Sequence, residues 1–153
     1  MFSSIHTSDV ASTINRLVSF FPSEEQLQVR ARLAENLQAV VSLRLLPNKK
    51  QTGRVPAVEI MRNTRSIQEC IKDPAKTSEI NEYITRGERM QTFDQHLLDL
   101  LRANKISVET ALSAASNPAD FRTKLALEGS DLESSASEER AAGPFEIESD
   151  ERF

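Results

Sequence analysis

The stretch that decides the fold is residues 5–22, which read Ile-His-Thr-Ser-Asp-Val-Ala-Ser-Thr-Ile-Asn-Arg-Leu-Val-Ser-Phe-Phe-Pro. Its apolar residues recur every three or four positions, which is the period of an amphipathic helix. They are Val10, Ile14, Leu17, Val18 and Phe21. The pattern predicts a helix over residues 8–20, capped by Thr7 or Ser8 and ended by Pro22. His6 comes just before this helix.

A second helix and a β-hairpin are predicted next. Ser23-Glu-Glu-Gln has the pattern of a capping box, and an apolar stripe runs from Leu27 to Val41 at helical spacing. The segments 43–46 and 55–61 have strand composition, and they flank a polar, basic turn over residues 47–53. Pro56 cannot donate a ladder hydrogen bond, so its strand should lie at a sheet edge or contain a bulge.

After Met61 the sequence predicts only helices. Their starts are marked by capping residues, which are Thr64, Asp73, Thr92, Ser107 and Asn117. Their predicted inward residues are Ile67, Cys70, Ile71, Ile80, Tyr83, Ile84, Phe93, Leu97, Val108, Ala111 and Phe121. Cys70 lies on such a stripe and is therefore expected to be a buried, inert thiol. No secondary structure is predicted from Gly129 onward, where Ser, Glu, Asp and Ala dominate.

Composition excludes several classes of protein. The 153 residues are 39% hydrophobic and contain no apolar run long enough to cross a membrane. No signal peptide is predicted, and a single cysteine suits a reducing cytoplasm. From Glu128 onward nine acidic residues face two arginines, a net charge of −7, whereas the rest of the chain carries +3. This distribution is not typical of a nucleic-acid-binding protein, and it predicts a disordered acidic tail.

Phosphate-loop chemistry is excluded for these 153 residues. The four glycines are at least fourteen positions apart, so neither G-x-x-x-x-G-K-[ST] nor G-x-G-x-x-G occurs. No pair of His or Cys residues has the spacing of a metal site. The two histidines, His6 and His96, are ninety positions apart and would share a site only through the tertiary fold.

The stretch around His6 resembles the histidine box of the secretion ATPase superfamily, and most closely that of the twitching-motility ATPases of type IV pili (PilT/PilU type). The matching residues are His6, Thr7, Thr13, Ile14 and Arg16, whereas Asn15 replaces the usual Asp and Ser8-Asp9 replaces Asn-Ser. In that family the histidine reaches toward the terminal phosphate of ATP. The resemblance therefore implies a phosphate-sensing catalytic role for His6 in a complete ATPase.

Further motifs extend the resemblance over residues 2–127. Residues 53–61 resemble the family strand that carries Gly-Arg and a glutamate, here Glu59. Residues 90–100 resemble the family segment G-M-Q-T-F-D-Q-x-L-x-x-L, with Arg89 in place of the glycine. Residues 63–73 lie where retraction ATPases carry Ala-Ile-Arg-Asn-Leu-Ile-Arg-Glu, but residues 68–70 depart from that motif. The resemblance is accordingly stronger for the family than for a retraction role.

The resemblance implies an α+β fold that is mostly α. Residues 1–61 would be the C-terminal part of a RecA-like ATPase core, consisting of helices and a β-hairpin. Residues 62–127 would be a small helical C-terminal domain, and 128–153 the disordered tail. Because the family works as hexameric rings, some polar side chains are candidates for subunit contacts. These interface candidates are Arg16, Arg44, Arg54, Gln68 and Lys72.

A function and partners are also implied. Full-length members hydrolyse ATP with Mg²⁺ and drive pilus retraction or assembly. This chain is expected to be part of such an ATPase and, without a phosphate loop, to be inactive alone and to bind no cofactor. The expected partners are further copies, full-length pilus ATPase subunits and inner-membrane platform proteins, with no nucleic acid and no membrane span. The expected location is cytoplasmic, at the inner membrane. An alternative stays open, a non-catalytic helical module that binds pilus or secretion ATPase subunits.

Overall fold

The computed structural model describes residues 2–127, and the predicted acidic tail lies outside them. The elements are α1 (Val10–Val18), α2 (Gln26–Asn36), β1 (Ala39–Pro47), β2 (Arg54–Arg62), α3 (Arg65–Lys72), a 3-10 helix (Pro74–Glu79), α4 (Ile80–Arg86), α5 (Phe93–Arg102) and α6 (Val108–Ala114). These elements form one compact unit that extends to Ser116. A second unit begins at Asn117, and its described part contains a helix over residues 118–127.

The predicted mixture of helices and a small sheet is confirmed. The division of the chain at residue 61 into a RecA-like core and a helical domain stays a prediction. Strands β1 and β2 pair antiparallel in an uninterrupted register from Ala39 opposite Arg62 to Pro47 opposite Arg54. The edge position predicted for the strand of Pro56 is therefore observed, without a bulge.

The main core of the first unit lies between one face of the hairpin and the helices α1 to α4. Its fully buried members are Val10, Ile14, Ala34, Met61, Ile67, Cys70, Ile71, Ile80 and Ile84. Cys70 is buried as predicted, and burial raises the pKa of its thiol. Asn63 helps to place the hairpin, since its amide nitrogen donates to the carbonyls of Ala34 and Leu37 at the end of α2.

Most of the predicted helix starts are observed. Thr92 and Gln95 form a reciprocal capping box at the start of α5. Asp73 accepts from the amide of Ala75, and Ser107 accepts from that of Thr110. Thr64 is the N-cap residue of α3, although its hydroxyl makes no capping hydrogen bond.

The predicted caps of the first two helices are wrong. Helix α1 begins two residues later than predicted, at Val10, because the Asp9 carboxylate accepts from the amide of Ser12 at 2.8 Å and caps the helix in place of Thr7 or Ser8. The capping box at Ser23 does not form. Helix α2 begins at Gln26, whose side-chain amide instead donates to the carbonyl of Phe21.

Some predicted inward positions are also wrong. The stripe assigned to α2 fails because the helix ends at Asn36, which leaves Val41 in β1 and Leu27 67% exposed. Tyr83 and Val108 were predicted to point inward, but they are 40% and 49% exposed. On the same two helices Ile84 and Ala111, which were also predicted to point inward, are buried.

Candidate functional site

The candidate site is the segment around His6, which leads into the start of α1. His6 is exposed. The hydrogen-bonded part of the segment begins at the next residue, Thr7, whose hydroxyl lies 2.6 Å from that of Thr13. The Thr13 hydroxyl also contacts the carbonyl of Asp9 at 2.8 Å. His6 therefore lies immediately before a tightly bonded turn.

Arg44 of β1 stabilises this turn by hydrogen bonds to its backbone. Its Nε and one terminal nitrogen donate to the carbonyl of Ser8 at 3.1 and 3.0 Å, and the other terminal nitrogen donates to the carbonyl of Ala114 at 3.0 Å. The guanidinium lies 4.0 Å from the centre of the Phe93 ring, which is a cation–π contact. Arg44 thus joins the segment after His6 to the start of α5 and the end of α6.

Glu59 of β2 stabilises the same turn by a hydrogen bond at Val10, two residues after Ser8. Its carboxylate accepts from the amide of Val10 at 2.8 Å, and the side chain is buried. Burial raises the pKa of Glu59, and the nearby carboxylates of Asp9 and Asp94 act in the same direction. The hydrogen bond from Val10 and the charge of Arg44 only partly oppose this effect. Two side chains of the hairpin therefore fix the backbone from Ser8 to Val10.

The pKa of Asp9, which lies between Ser8 and Val10, is shifted in the opposite direction from that of Glu59. Burial by itself would raise the pKa of Asp9. Hydrogen bonds from the Ser8 hydroxyl and from the backbone and side chain of Ser12 outweigh burial, and the positive charge of Arg44 acts in the same direction as these hydrogen bonds. The net result is a lowered pKa. Two carboxyl groups at one helix start, Asp9 and Glu59, are thus pushed in opposite directions by their surroundings.

The other predicted site residues lie apart from this segment. Arg16 is exposed on α1 and lies over the ring of Phe20. Arg54 is exposed and makes one long hydrogen bond, 3.4 Å, to the carbonyl of Leu45. Lys72 pairs with Glu69 at 3.0 Å on α3. A subunit-contact role for these residues stays a prediction.

Arg44, also predicted as an interface residue, makes its hydrogen bonds within the chain. Gln68 is half-buried on α3. His96 has a place of its own, because its Nδ1 accepts from the amide of Val58 at 2.8 Å. Its part in the fold is to cover the edge of β2, where Gln91 also pairs with Ile60 through both backbone groups.

Arg30 is an important residue that the sequence did not reveal. Its guanidinium is 6% exposed and donates to the carbonyl of Ile71, the hydroxyl of Thr77 and the side-chain oxygen of Asn15. Burial lowers its pKa. Asn15 stands where the resembling family has Asp, so α1 and α2 meet here through a neutral acceptor. An arginine in a polar helix gives no sequence signal for such burial.

The residues that the structure describes do not form a site for Mg²⁺-bound ATP. Within residues 2–127 no group of three or more His, Cys, Asp or Glu side chains converges as a metal site would require. The whole sequence contains no glycine-rich phosphate loop. A cavity of about 500 Å³ is lined by residues including Arg62, Thr64, Tyr83 and Arg86, but not by His6. None of the helices in the described range is long and apolar enough to cross a bilayer.

Comparisons with known proteins identify what the chain is similar to. It is 38% identical over 122 residues to the type IV pilus ATPase PilT of Pseudomonas aeruginosa, which covers 79% of this chain and 35% of PilT. It is 36% identical over 119 residues to a twitching motility protein of Neisseria gonorrhoeae, covering 76% of this chain and 32% of that one. No family model matches. The chain thus spans about a third of the length of these relatives.

The same similarity appears in the fold. A crystal structure of the pilus retraction motor PilT with bound ADP superposes with a TM-score of 0.66 at 33% identity, covering 76% of this chain and 32% of that one. A structure of the Legionella pneumophila ATPase DotB superposes with a TM-score of 0.58 at 23% identity, which supports the fold alone. The described residues therefore share the fold of the matched third of PilT. The chain is homologous over about three quarters of its length to twitching-motility proteins of the PilT and PilU type.

Proposed function

We propose that this chain acts as the C-terminal part of a type IV pilus ATPase that retracts or assembles pili. The observation that carries the proposal is the 38% identity to PilT over 122 residues. The sequence around His6 resembles the histidine box of such ATPases. Arg44 and Glu59 hold the turn after His6 through the carbonyl of Ser8 and the amide of Val10. A fixed backbone directly after His6 would restrict where its imidazole reaches, as a phosphate-sensing role requires.

In this proposal His6 works only together with a phosphate loop that this sequence does not contain. The phosphate cradle and the Mg²⁺ ligands would come from the remainder of a complete ATPase subunit. Taken alone, the chain should neither hydrolyse ATP nor bind it measurably, because His6 alone offers one contact. The partners would be full-length pilus ATPase subunits in a ring, in the cytoplasm at the inner membrane.

Turnover and co-purification test the proposal. The tagged chain is co-expressed with Pseudomonas aeruginosa PilT, and the purified material is analysed for composition and ATP hydrolysis. We expect mixed assemblies with lowered turnover per PilT subunit, because each inserted chain contributes an interface without a phosphate loop. The isolated chain should match a mock preparation from cells that carry the empty vector. Turnover by the isolated chain that disappears in His6→Ala would contradict the predicted inactivity.

A second candidate function is a non-catalytic module that binds ATPase subunits without any role for His6. The exposed apolar side chains of Val41, Leu43 and Leu45 on β1 favour it, since exposed apolar surfaces mark sites of association. The two candidates differ in the effect of His6→Ala on a complete subunit that contains this segment. If the substitution at the matching position of PilT leaves turnover unchanged, the histidine has no catalytic part and the binding module is supported.

A further inference from the structure

The guanidinium of Arg44 has hydrogen-bond partners in two parts of the fold. Two of its nitrogens donate to the carbonyl of Ser8, and the third donates to the carbonyl of Ala114, the last residue of α6. Residues 7–10 are called the His6 turn below. Within residues 2–127 no hydrogen bond joins the His6 turn directly to α5 or α6. Arg44 is therefore the shared partner of the His6 turn and α6.

Both carbonyls need a donor from outside their own helix. The last carbonyls of an α-helix have no N–H partner within it, and Ala114 carries one of them. A positive charge is also favoured at this end of a helix. Ser8 precedes the N-cap residue of α1, so its carbonyl likewise lies outside the helical hydrogen bonds. A planar guanidinium presents its donors in fixed directions, and a single one can therefore hold the two carbonyls in a defined arrangement.

The side chain of Arg44 is itself fixed on three sides. Its backbone lies opposite Ala57 in the uninterrupted register of the hairpin. Its guanidinium lies 4.0 Å from the centre of the Phe93 ring at the start of α5. Its positive charge acts on the carboxyl groups of Asp9 and Glu59. A displacement of α6 therefore either breaks the bond from Arg44 or acts on the His6 turn.

The end of α6 has a second attachment, which can be removed without changing Arg44. The Asp94 carboxylate of α5 accepts from the amide of Ser116 at 2.9 Å, two residues after Ala114. This hydrogen bond fixes the chain after α6 to the first turn of α5. Loss of the Asp94 carboxylate should therefore loosen the end of α6.

We infer that Arg44 is a positioning residue that couples the His6 turn to the end of α6, so that the placement of α6 determines how firmly the backbone after His6 is held. Coupling between two sites is reciprocal, so a phosphate that engages His6 would in turn restrain α6. This regulatory meaning rests on the proposed phosphate-sensing role of His6. The coupling itself rests only on the contacts of Arg44.

The test loosens the end of α6 and measures the His6 turn in the full chain. Asp94→Ala removes the acceptor of the Ser116 amide, whereas Asp94→Asn removes the same charge and keeps an acceptor. The readout is the rate of hydrogen exchange at the amides of Val10 and Ser12, divided by the rate at the amide of Gln68 on α3. A loss of global stability accelerates exchange at all three amides, so this exchange ratio isolates the change near the His6 turn.

Asp94→Ala should raise the exchange ratio by between about twofold and thirtyfold, which corresponds to typical coupling energies of residues that link two sites. Asp94→Asn should leave the ratio unchanged. In a chain that also carries Arg44→Met, Asp94→Ala should no longer raise it. Arg44→Lys keeps the positive charge but offers a single ammonium group in place of the planar guanidinium, and it should abolish the effect as well.

A second measurement reports on His6 itself. The ¹⁵N order parameters of the His6 and Thr7 amides should be lower in Arg44→Met and Arg44→Lys than in the parent, because the carbonyl of Ser8 loses its donors. Arg54→Met is the matched control on the same hairpin. It removes a single 3.4 Å contact to the carbonyl of Leu45 and should leave both order parameters unchanged.

Three outcomes overturn the inference. An unchanged exchange ratio in Asp94→Ala alone would show that the His6 turn does not respond to α6, whether or not the Arg44 variants fold. An effect of Asp94→Ala that persists beside Arg44→Met would assign the coupling to another contact. Full coupling in Arg44→Lys would assign it to charge instead of the paired hydrogen bonds. None of these measurements involves ATP, so their result is separate from the co-purification and turnover that test the proposed function.

Discussion

Glu59 on β2 accepts a hydrogen bond from the amide of Val10 at 2.8 Å, and this contact joins residues forty-nine positions apart in the chain. It places a carboxyl group at the first turn of α1, where the partial positive charge of the helix favours an anion. Burial nevertheless dominates and raises the pKa of Glu59. The Glu59 carboxyl group therefore accepts the hydrogen bond at the start of α1 although burial disfavours its ionised form.

Replacing Glu59 by Gln should change how stability depends on pH. The folded-state pKa of Glu59 lies above its unfolded value, so its contribution is fully present below the unfolded pKa and is lost as pH rises through the folded pKa. Gln keeps an acceptor for the Val10 amide without a charge. We therefore expect Glu59→Gln to gain stability relative to the parent as pH rises from about 4.5 toward 8.

The check is the melting temperature of both proteins across this pH range. Asp9, whose pKa is lowered, contributes a slope of the opposite sign, but it is present in both proteins. Glu59→Ala is the companion variant, because it removes the acceptor and should be less stable than Glu59→Gln at every pH. A parent protein whose melting temperature rises relative to that of Glu59→Gln as the pH increases would contradict the prediction.

Replacing Arg44 by Met should destabilise the protein by roughly 1–3 kcal/mol. The loss combines the hydrogen bonds to the carbonyls of Ser8 and Ala114 with the cation–π contact on Phe93. Urea unfolding with an unchanged slope would measure it. Arg54→Met on the same hairpin removes only a 3.4 Å contact and should cost under about 0.5 kcal/mol. Equal effects of the two substitutions would show that Arg44 is not an anchor.

Replacing Arg89 by Gly should stabilise the protein by up to about 1 kcal/mol. Arg89 has φ 56°, a left-handed conformation that is unfavourable for residues with a Cβ and favours glycine. It stands where the resembling family has glycine. The matched control is Arg86→Gly at the end of α4, in a right-handed helix, which should cost up to about 1 kcal/mol. The measurement is thermal unfolding of both variants. A loss of stability in Arg89→Gly would refute the strain argument.

Deleting residues 130–153 should leave the stability of the remaining chain nearly unchanged. The reason is the composition of this segment, which is acidic and poor in large apolar residues. Differential scanning calorimetry of the full and shortened chains is the measurement. A loss equivalent to more than about 1 kcal/mol, or several degrees in the melting temperature, would show that the tail contributes to the folded state.

Local sequence signals predicted much of the secondary structure. The capping box of Thr92 and Gln95, the cap at Asp73 and the hairpin around its polar turn were all evident, because each depends on residues close in sequence. Local signals failed where two patterns competed. At Ser23 a capping pattern was overridden by Gln26 bonding to Phe21, and the stripe through Leu27 and Val41 merged a helix with the following strand.

The sequence by itself determined the class of fold, the family resemblance and the absence of a phosphate loop within these 153 residues. Only the tertiary structure decided that Arg30 is buried, that Arg44 and Glu59 anchor the turn after His6, and that the apolar side of β1 faces outward. The physical reason is that composition and local pattern depend on near neighbours. Burial of a charge and exposure of an apolar face depend on which distant elements pack together, and no spacing in the sequence records that choice.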